Sequence, residues 1–497
     1  MSNESEHANK YTPGGSSRES VNSGRFFSHS TRLFNHYIPT EYILLGVVEF
    51  AVLVLAFYLG HELRFETSWE QLTPYGENPW PAGTRALAFA VVMQTSLVAF
   101  GAYQRQANRS DNMLALRIAP SLLLGGILLG LLYYIAPVFI TGRGALALSV
   151  LVSFVAIMAV RLGFERISER YDLKLRVLVL GAGKAANLIR LAQANSEIEG
   201  INITAYVPMP GDQQDDRGIG LAQTKGALVT YVAGKRIDVI VLALDERRKG
   251  LPVHDLLDCK MSGIEIIDLL TFFERYTNKI RLDIVQPSWL FLSDGFQVSN
   301  FNRLSKRLFD LATVLLLLPI VLPVGLLASL AILIESRFRG AVLYSQTRVG
   351  ENGRLFQVYK FRSMREDAEQ DGVARWATKG DSRITRVGAI LRKSRLDEIP
   401  QLLNILKGDM SFVGPRPERP EFVEQLAEQI PYYGERHRVK PGLSGWAQIR
   451  YPYGASIEDG LEKLQYDLYY VKNYSILLDA LVLLQTAEVV LLGRGAH

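Results

Sequence analysis

The stretch SRLDEIPQLLNILKGDMSFVGPRP, residues 394–417, decides how the rest of the chain is read. It places adjacent carboxylates, Asp397 and Glu398, ahead of Pro400 and an apolar-periodic run of Ile399, Leu402, Leu403, Ile405 and Leu406. That spacing predicts a short amphipathic helix closed by Gly408, with the acidic pair at its N-terminus. In the loop beyond, Pro415 and Pro417 hold Arg416 in stiff, extended backbone. Taken alone, these residues need be no more than a helix cap and a proline-rich turn. The cations upstream shift the balance, because Arg383, Arg386, Arg392, Lys393 and Arg395 all lie shortly before the acids. Carboxylates among so many cations point to a site that handles metal and phosphate.

At 497 residues the chain exceeds one ordinary domain, so two or three units are expected. Hydrophobic residues make up 48%, and their concentration in a few blocks argues for membrane segments. A net charge of +5 is too mild and too dispersed for nucleic acid, and fits anionic lipid and phosphate-bearing substrates better. The single cysteine, Cys259, excludes an intramolecular disulfide and any cysteine-based metal cluster. Residues 1–38 read as a disordered tail, rich in Ser, Asn and Gly over the first thirty. They carry no apolar core near the start, so the first span is expected to act as the anchor.

Four apolar blocks follow, at 42–60, 86–103, 118–140 and 145–160, each near the length that crosses a bilayer as a helix. The expected membrane region is 39–163. Basic residues set its orientation: Arg25 and Arg32 precede the first block, and Arg105, Arg109 and Arg117 lie between the second and third. Arg161, Arg166, Arg170, Lys174 and Arg176 follow the fourth. The positive-inside rule puts all of these in the cytoplasm.

Residues 164–290 change to an α/β pattern. RVLVLGAGKAANLIRLAQ reads as a strand, a glycine-rich turn and a helix, and DVIVLAL at 238–244 and GIEIIDL at 263–269 read as further buried strands. Gly181-Ala-Gly183-Lys-Ala-Ala186 fits a dinucleotide fingerprint, but the next strand, INITAYVP, ends without the acid that would bind ribose. A Rossmann-like domain without a redox cofactor is therefore expected. Tyr231 and Lys235 match a Tyr-x-x-x-Lys pair by chance, since Gly234 interrupts it and a strand begins almost at once.

The last unit, 300–497, opens with an apolar run at 311–334 that contains Pro319 and Pro323. Arg303, Lys306 and Arg307 before it and Arg337 and Arg339 after it want the same side of the membrane. The expectation is a re-entrant helix over 308–335, broken at the prolines so that it turns back. Beyond it, AVLYSQTRVG and RLFQVYKFRSM alternate like a strand pair around a Glu-Asn-Gly turn, bringing Lys360 and Arg362 to the acidic pair. An apolar segment at 476–492 carries Asp479 and Glu488, which favour a packed or interfacial helix over a span.

From about Lys306 to the C-terminus the chain resembles the bacterial sugar transferases, the polyprenyl-phosphate hexose-1-phosphate transferases. The resemblance rests on KRLFD at 306–310, QTRVG at 346–350, KFRSM at 360–364, LDEIPQLLNILKGDMS at 396–411, GPRP at 414–417 and KPGLSGWAQI at 440–449. It implies an α-helical membrane bundle, a Rossmann-like middle domain and a mixed α/β catalytic domain seated on a re-entrant hairpin. It also implies transfer of hexose-1-phosphate from UDP-glucose or UDP-galactose to undecaprenyl phosphate, with release of UMP. On that resemblance Asp397 is the nucleophile and Glu398 its partner, both candidates for Mg²⁺. Lys360, Arg362, Arg392 and Arg416 would clamp phosphate, and Gly442, Trp446 and Gln448 would meet the donor's nucleotide or sugar. The setting implied is the bacterial inner membrane with a cytoplasmic catalytic domain, and a homodimer is compatible with it. Two rival readings are a membrane-tethered NAD(P)-dependent nucleotide-sugar dehydratase or epimerase, and a non-enzymatic polysaccharide scaffold.

Overall fold

The computed structural model of the chain describes residues 30–33, 36–65, 82–100, 102–103, 111–170, 174–198, 200–210, 212, 227–246, 251–293, 295–296, 299–365, 383–451, 454 and 456–491. The first 29 residues of the expected tail, with Arg25, Arg105 and Arg109, lie outside them. A short antiparallel pair, β1 (Ser30–Leu33) and β2 (His36–Pro39), leads into four long helices: α1 (Thr40–Phe65), α2 (Ala82–Ala99), α3 (Asp111–Ile135) and α4 (Arg143–Arg170). These correspond to the four apolar blocks. The third helix ends at Ile135 rather than Ile140, because Pro137 opens a separate 3-10 turn.

Leu53, Phe57, Phe89, Met93, Leu97, Leu114, Ile118 and Ile157 fill the bundle's interior. Leu55, Val91, Leu123 and Val155 point outward. Helices that are apolar on every side suit a lipid surround. At Gly60 α1 runs so close to α4 that a Cβ would overlap Ser149. A charged pair is enclosed in this apolar bundle. The Arg161 guanidinium donates to Glu49 at 2.6 and 3.1 Å and to the Ala102 carbonyl, and the Tyr103 hydroxyl donates to Glu49. Both charged side chains are buried.

The α/β layer contains β3 (Leu175–Leu180), α5 (Lys184–Ala194), β4 (Ile201–Val207), α6 (Ala227–Lys235), β5 (Val239–Leu242), α7 (Val253–Met261), β6 (Glu265–Asp268) and α8 (Leu269–Thr277). Its four strands form a parallel sheet in the order β4-β3-β5-β6. The central strands β3, from Val177 on, and β5 are buried on both faces, as their Val/Leu/Ile runs require.

After the short α9 (Pro287–Leu292) comes α10 (Asn300–Glu335), which stays helical through both Pro319 and Pro323. Two separate helical arms were expected there; the helix is continuous. With α1 to α4 it is one of five helices among the described residues that are long and apolar enough to cross a membrane. The catalytic layer continues with the hairpin β7 (Leu343–Val349) and β8 (Leu355–Phe361), then α11 (Arg386–Lys393), α12 (Gln401–Lys407), β9 (Ser411–Val413), α13 (Pro420–Gln429), β10 (Gly442–Ser444), α14 (Trp446–Arg450), α15 (Ile457–Lys472) and α16 (Ile476–Leu491). The α15 helix starts earlier than its apolar stretch indicates, because Ser456 and Asp459 form a capping box. In α16, Asp479 is buried against Lys306 at 2.5 Å and the Tyr470 hydroxyl at 2.7 Å, which makes it a packed helix. It also lies against α2 of the bundle.

The α/β layer and the catalytic layer share one stretch of chain. Phe272, Phe273 and Tyr276 belong to the core of the first, while Leu270, Ile280 and Leu282 belong to that of the second. Polar contacts reinforce the join. The Glu274 carboxylate accepts from Lys472 at 2.6 Å and from Asn473 at 3.1 Å, and Lys279 pairs with Glu197 and Glu462.

Candidate active site

Four local features bring the acidic pair to its place. Thr385 caps α11 by accepting from the Gly388 N–H, and α11 ends in Arg392 and Lys393. Arg395 then adopts a left-handed conformation (φ 56), which turns the chain so that Leu396–Glu398 form a single 3-10 turn. Pro400 precedes α12, and Gly408 (φ 93) ends it. Asn404, fully buried on α12, accepts from the Tyr359 N–H and donates to the Gln357 carbonyl. It joins α12 to the edge of β8 and so fixes Lys360 opposite the acids.

The result is a compact charge cluster. Lys360 Nζ lies 2.9 Å from Glu398 Oε1 and 4.0 Å from Asp397 Oδ2. Arg416 approaches the same Glu398 oxygen at 3.3 Å, and Arg395 reaches the other at 4.0 Å. Both carboxylates are buried, but their environments differ. Burial raises both, yet at Glu398 it is outweighed by Lys360 and Arg416, which hold that carboxyl down to about 2. At Asp397 burial prevails, with Glu398 adding to it against Lys360, Arg392 and Arg416, and the carboxyl lies above the usual aspartate value. Adjacent carboxylates driven apart in this way take different chemical roles. Glu398 holds the cations. Asp397 accepts no hydrogen bond from the described residues, which leaves its oxygens open to react.

A small polar cleft of about 20 Å³ beside the cluster is lined by Arg348, Lys360, Glu398, Gln401, Arg416 and Gly442 among others. Of the residues expected at the site, Lys360, Glu398, Arg416 and Gly442 meet there, and Asp397 and Arg392 stand by their charges next to it. Three lie elsewhere. The Arg362 guanidinium donates to the Arg339 carbonyl at 3.3 Å. Trp446 is buried, stacked on Tyr469, and gives its Nε1–H to the Asn278 carbonyl at 3.0 Å. Gln448 follows it on α14 and does not line the cleft.

Sequence reasoning passed over Arg348 and Arg436. Arg348, in QTRVG, donates to Gln346 at 2.6 Å and to the Pro417 carbonyl at 3.2 Å. Burial, with Arg416 and Arg419 nearby, lowers its pKa. Arg436, buried against Asp467 at 2.7 Å, donates to the Arg416 carbonyl and anchors that loop from behind. The pairing across thirty residues left no local pattern to find.

The carboxylate pair bears on the expected Mg²⁺. Among the described residues no three His, Cys, Asp or Glu side chains converge. Two adjacent carboxylates fit Mg²⁺ held jointly by protein, substrate phosphates and water, and not a cage made by the protein alone. The glycine-rich turn of the α/β layer is arranged differently. The Lys184 and Ala185 N–H groups donate to the Asp245 carboxylate at 3.0 and 2.8 Å, and the Ala182 N–H donates to Asp212 at 2.8 Å. The donors that would meet a pyrophosphate are engaged by the chain's own acids.

Residues 301–493 match the family model described as bacterial sugar transferase. The chain is 39% identical over 263 residues to a UDP-N-acetylgalactosamine-undecaprenyl-phosphate N-acetylgalactosaminephosphotransferase of Aeromonas hydrophila, covering 53% of this chain and 61% of that protein, less than two thirds of its length. It is 33% identical to a UDP-glucose:undecaprenyl-phosphate glucose-1-phosphate transferase of Escherichia coli K12, covering 65% of this chain and 69% of that one. A protein of the same name from Xanthomonas campestris pv. campestris is 28% identical, across 96% of this chain and 99% of its own length. The matched region contains every residue of the Asp397–Glu398 cluster, and the chain belongs to the bacterial sugar transferase family.

Proposed function

We propose that this phosphoglycosyl transferase moves a hexose-1-phosphate from a UDP-sugar to undecaprenyl phosphate, with UMP as the other product, in two steps through Asp397. The observation that carries the proposal is the division between neighbouring carboxylates, one saturated with cations and one left open. In the first step an Asp397 oxygen attacks the sugar-bearing phosphorus. A carboxylate–phosphorus bond forms, the bridging P–O bond breaks, and UMP leaves with its electron pair. In the second step the lipid phosphate oxygen attacks the same phosphorus, and the Asp397 carboxylate is released. Lys360, Arg392 and Arg416 face the phosphate charge that develops, and Glu398 keeps Lys360 and Arg416 in position. Mg²⁺, held by Asp397 and Glu398 together with diphosphate oxygens, would add charge neutralisation.

The relatives' names differ in the sugar, and UDP-glucose and UDP-galactose are the donors we favour here. Measuring UMP release over a panel of UDP-sugars with undecaprenyl phosphate present tests the function. No release from any of them would refute it. The filled glycine-rich turn supports a Rossmann-like layer with a role in assembly, and speaks against the NAD(P)-dependent rival.

The acid limb of the pH profile follows from the charges. Asp397 reacts as a carboxylate, so kcat/KM falls as pH drops through its raised pKa. Lys360 favours the ionised form, so Lys360→Met should raise that pKa and move the acid limb to higher pH. A limb that stays in place or moves lower would remove Lys360 from the role given to it.

We also read α10 as re-entrant from the cytoplasmic face of the inner membrane. Near its start Asp310 accepts from the Ser411 hydroxyl and the Phe412 N–H; at its end Glu335 accepts from the Arg386 and Val387 N–H groups. Those acids are about 38 Å apart along a straight helix, more than the roughly 30 Å hydrocarbon core. A single crossing would therefore pull the catalytic layer that binds both ends into the lipid. With Cys259 replaced, single cysteines at Arg303 and Arg339 should both react only from the cytoplasmic side. Periplasmic labelling at Arg339 would mean a true span.

A further inference from the structure

A second cavity, of about 300 Å³, opens at the base of α10 and shares no lining residue with the reaction cleft. That volume lies at the lower end of the range for small-molecule sites. Its wall carries five cations, Arg303, Lys306 and Arg307 from α10 and Arg438 and Lys440 from the segment before β10, against the carboxylates of Asp310 and Glu351. Several of these charges are already engaged. Lys306 is held by Asp479, Arg438 pairs with Glu435 at 2.9 Å, and Asp310 is occupied by Ser411 and the Phe412 N–H. Arg303 is only loosely placed, 3.9 Å from Glu351. The Arg307 guanidinium is met by the Ile405 and Leu406 carbonyls, which orient it without cancelling its charge. Lys440 has no hydrogen-bond or ion-pair partner among the described residues. Its Nζ and the Arg307 guanidinium both lie by Gly408.

The helix also places this cavity relative to the membrane. Phe301, Leu304, Leu308 and Leu315 are exposed along one face of α10, at the spacing of a single helical stripe. Lys306 lies on the opposite face, and Arg303 and Arg307 lie between it and that stripe. From Asp310 to Leu315, where the long exposed apolar run begins, is about 7.5 Å along the axis. The cavity therefore sits at the depth where hydrocarbon gives way to headgroups.

We propose that it binds a phosphate ester of net negative charge at the membrane surface, apart from the reaction cleft, with Lys440, Arg303 and Arg307 as its cationic contacts. The group can be carried by an anionic lipid or be free in solution. Because Arg438 to Lys440 line this cavity and Gly442 and Leu443 line the reaction cleft, an occupied site would brace the strand between them.

The test uses the full chain, delipidated in detergent micelles, with native mass spectrometry counting bound dioleoylphosphatidylglycerol and, separately, dioleoylphosphatidylcholine. Arg303→Gln/Lys440→Gln should weaken binding of one phosphatidylglycerol by about tenfold or more. Phosphatidylcholine binding should not change, and Lys260→Gln, on the α/β layer, should behave as the unaltered chain. Lys440→Gln alone, which leaves the Arg303–Glu351 contact intact, should show a smaller loss and serves if the double variant unfolds. Millimolar inorganic phosphate then separates the sources. Displacement of the lipid shows that the phosphate group alone is recognised, and persistence shows that the lipid headgroup is required. Equal phosphatidylglycerol binding by variant and unaltered chain, or an equal loss of both lipids, would overturn the site.

Discussion

Asp397→Asn should release no UMP from a UDP-sugar, whereas the unaltered enzyme, given donor and Mg²⁺ but no lipid acceptor, should release a burst no larger than its own concentration. The burst follows from the order of bond changes, since UMP leaves before the lipid phosphate is needed. An amide keeps the size of the side chain but removes the nucleophilic charge, and losing the nucleophile of a two-step transfer costs on the order of a thousandfold or more. The surroundings of Asp397 strengthen this expectation. Glu398 holds Lys360 at 2.9 Å, while Asp397 stands 4.0 Å from the same ammonium. The closer ion pair is thus made by Glu398, and Asp397 keeps only the longer contact. Mass spectrometry of the burst reaction should place a hexose phosphate on the peptide that contains Asp397. Arg416→Lys should weaken both signals without abolishing them, because lysine loses the planar fork. A ternary-complex rate law, with no burst and a partly active Asp397→Asn enzyme, would leave direct attack by the lipid phosphate.

Glu274→Ala carries the second large effect, and it falls outside the region of family resemblance. Glu274 lies on α8 of the α/β layer, yet its partners Lys472 and Asn473 end α15 of the catalytic layer. All three are buried. Removing the carboxylate takes from the buried Lys472 ammonium its ion-pair partner at 2.6 Å, leaving the contact over the Trp289 ring, and breaking such a pair costs about 3–5 kcal/mol. Trp446, whose indole donates to Asn278 four residues further on, should report it as earlier thermal unfolding by fluorescence. Glu274→Met/Lys472→Met should recover much of the stability, because an apolar pair does not carry the desolvation cost. A Glu274→Ala protein that unfolds like the parent would show that the two layers are energetically separate. By the same reasoning, excising residues 175–282 removes Leu270, Ile280 and Leu282 from the catalytic core, and the catalytic layer should not survive it.

The sequence was most legible where a pattern is local. Apolar blocks of membrane length, the Glu-Asn-Gly hairpin and the Gly408 helix stop each depend on neighbours in the chain, and each stands where its residues put it. The acidic pair was equally plain, with Lys360 brought to it by the hairpin. Trp446 and Arg362 were harder, because a motif shows that a residue matters without showing which way it faces. Trp446 faces the middle layer and supports the fold, a role set by Asn278, 168 residues away. Continuity of α10 through two prolines could not be read from local propensity either, since the packing that holds both helix ends comes from residues 386–412.

The Glu49–Arg161 pair bears on how the protein is made. The two residues are separated by 112 positions, so Glu49 enters the membrane with α1 well before its partner has been synthesised. An unpaired ionised group in a membrane helix is costly, by about 2.5–3.5 kcal/mol at the centre for an aspartate, lysine or arginine. During that interval the Glu49 side chain of α1 lacks the guanidinium it meets in the finished bundle. Only the arrival of α4 lets the charge settle inside. The first and last helices of the bundle are thus tied by charge: a chain that stalls before α4 leaves an acid with no arginine to meet it.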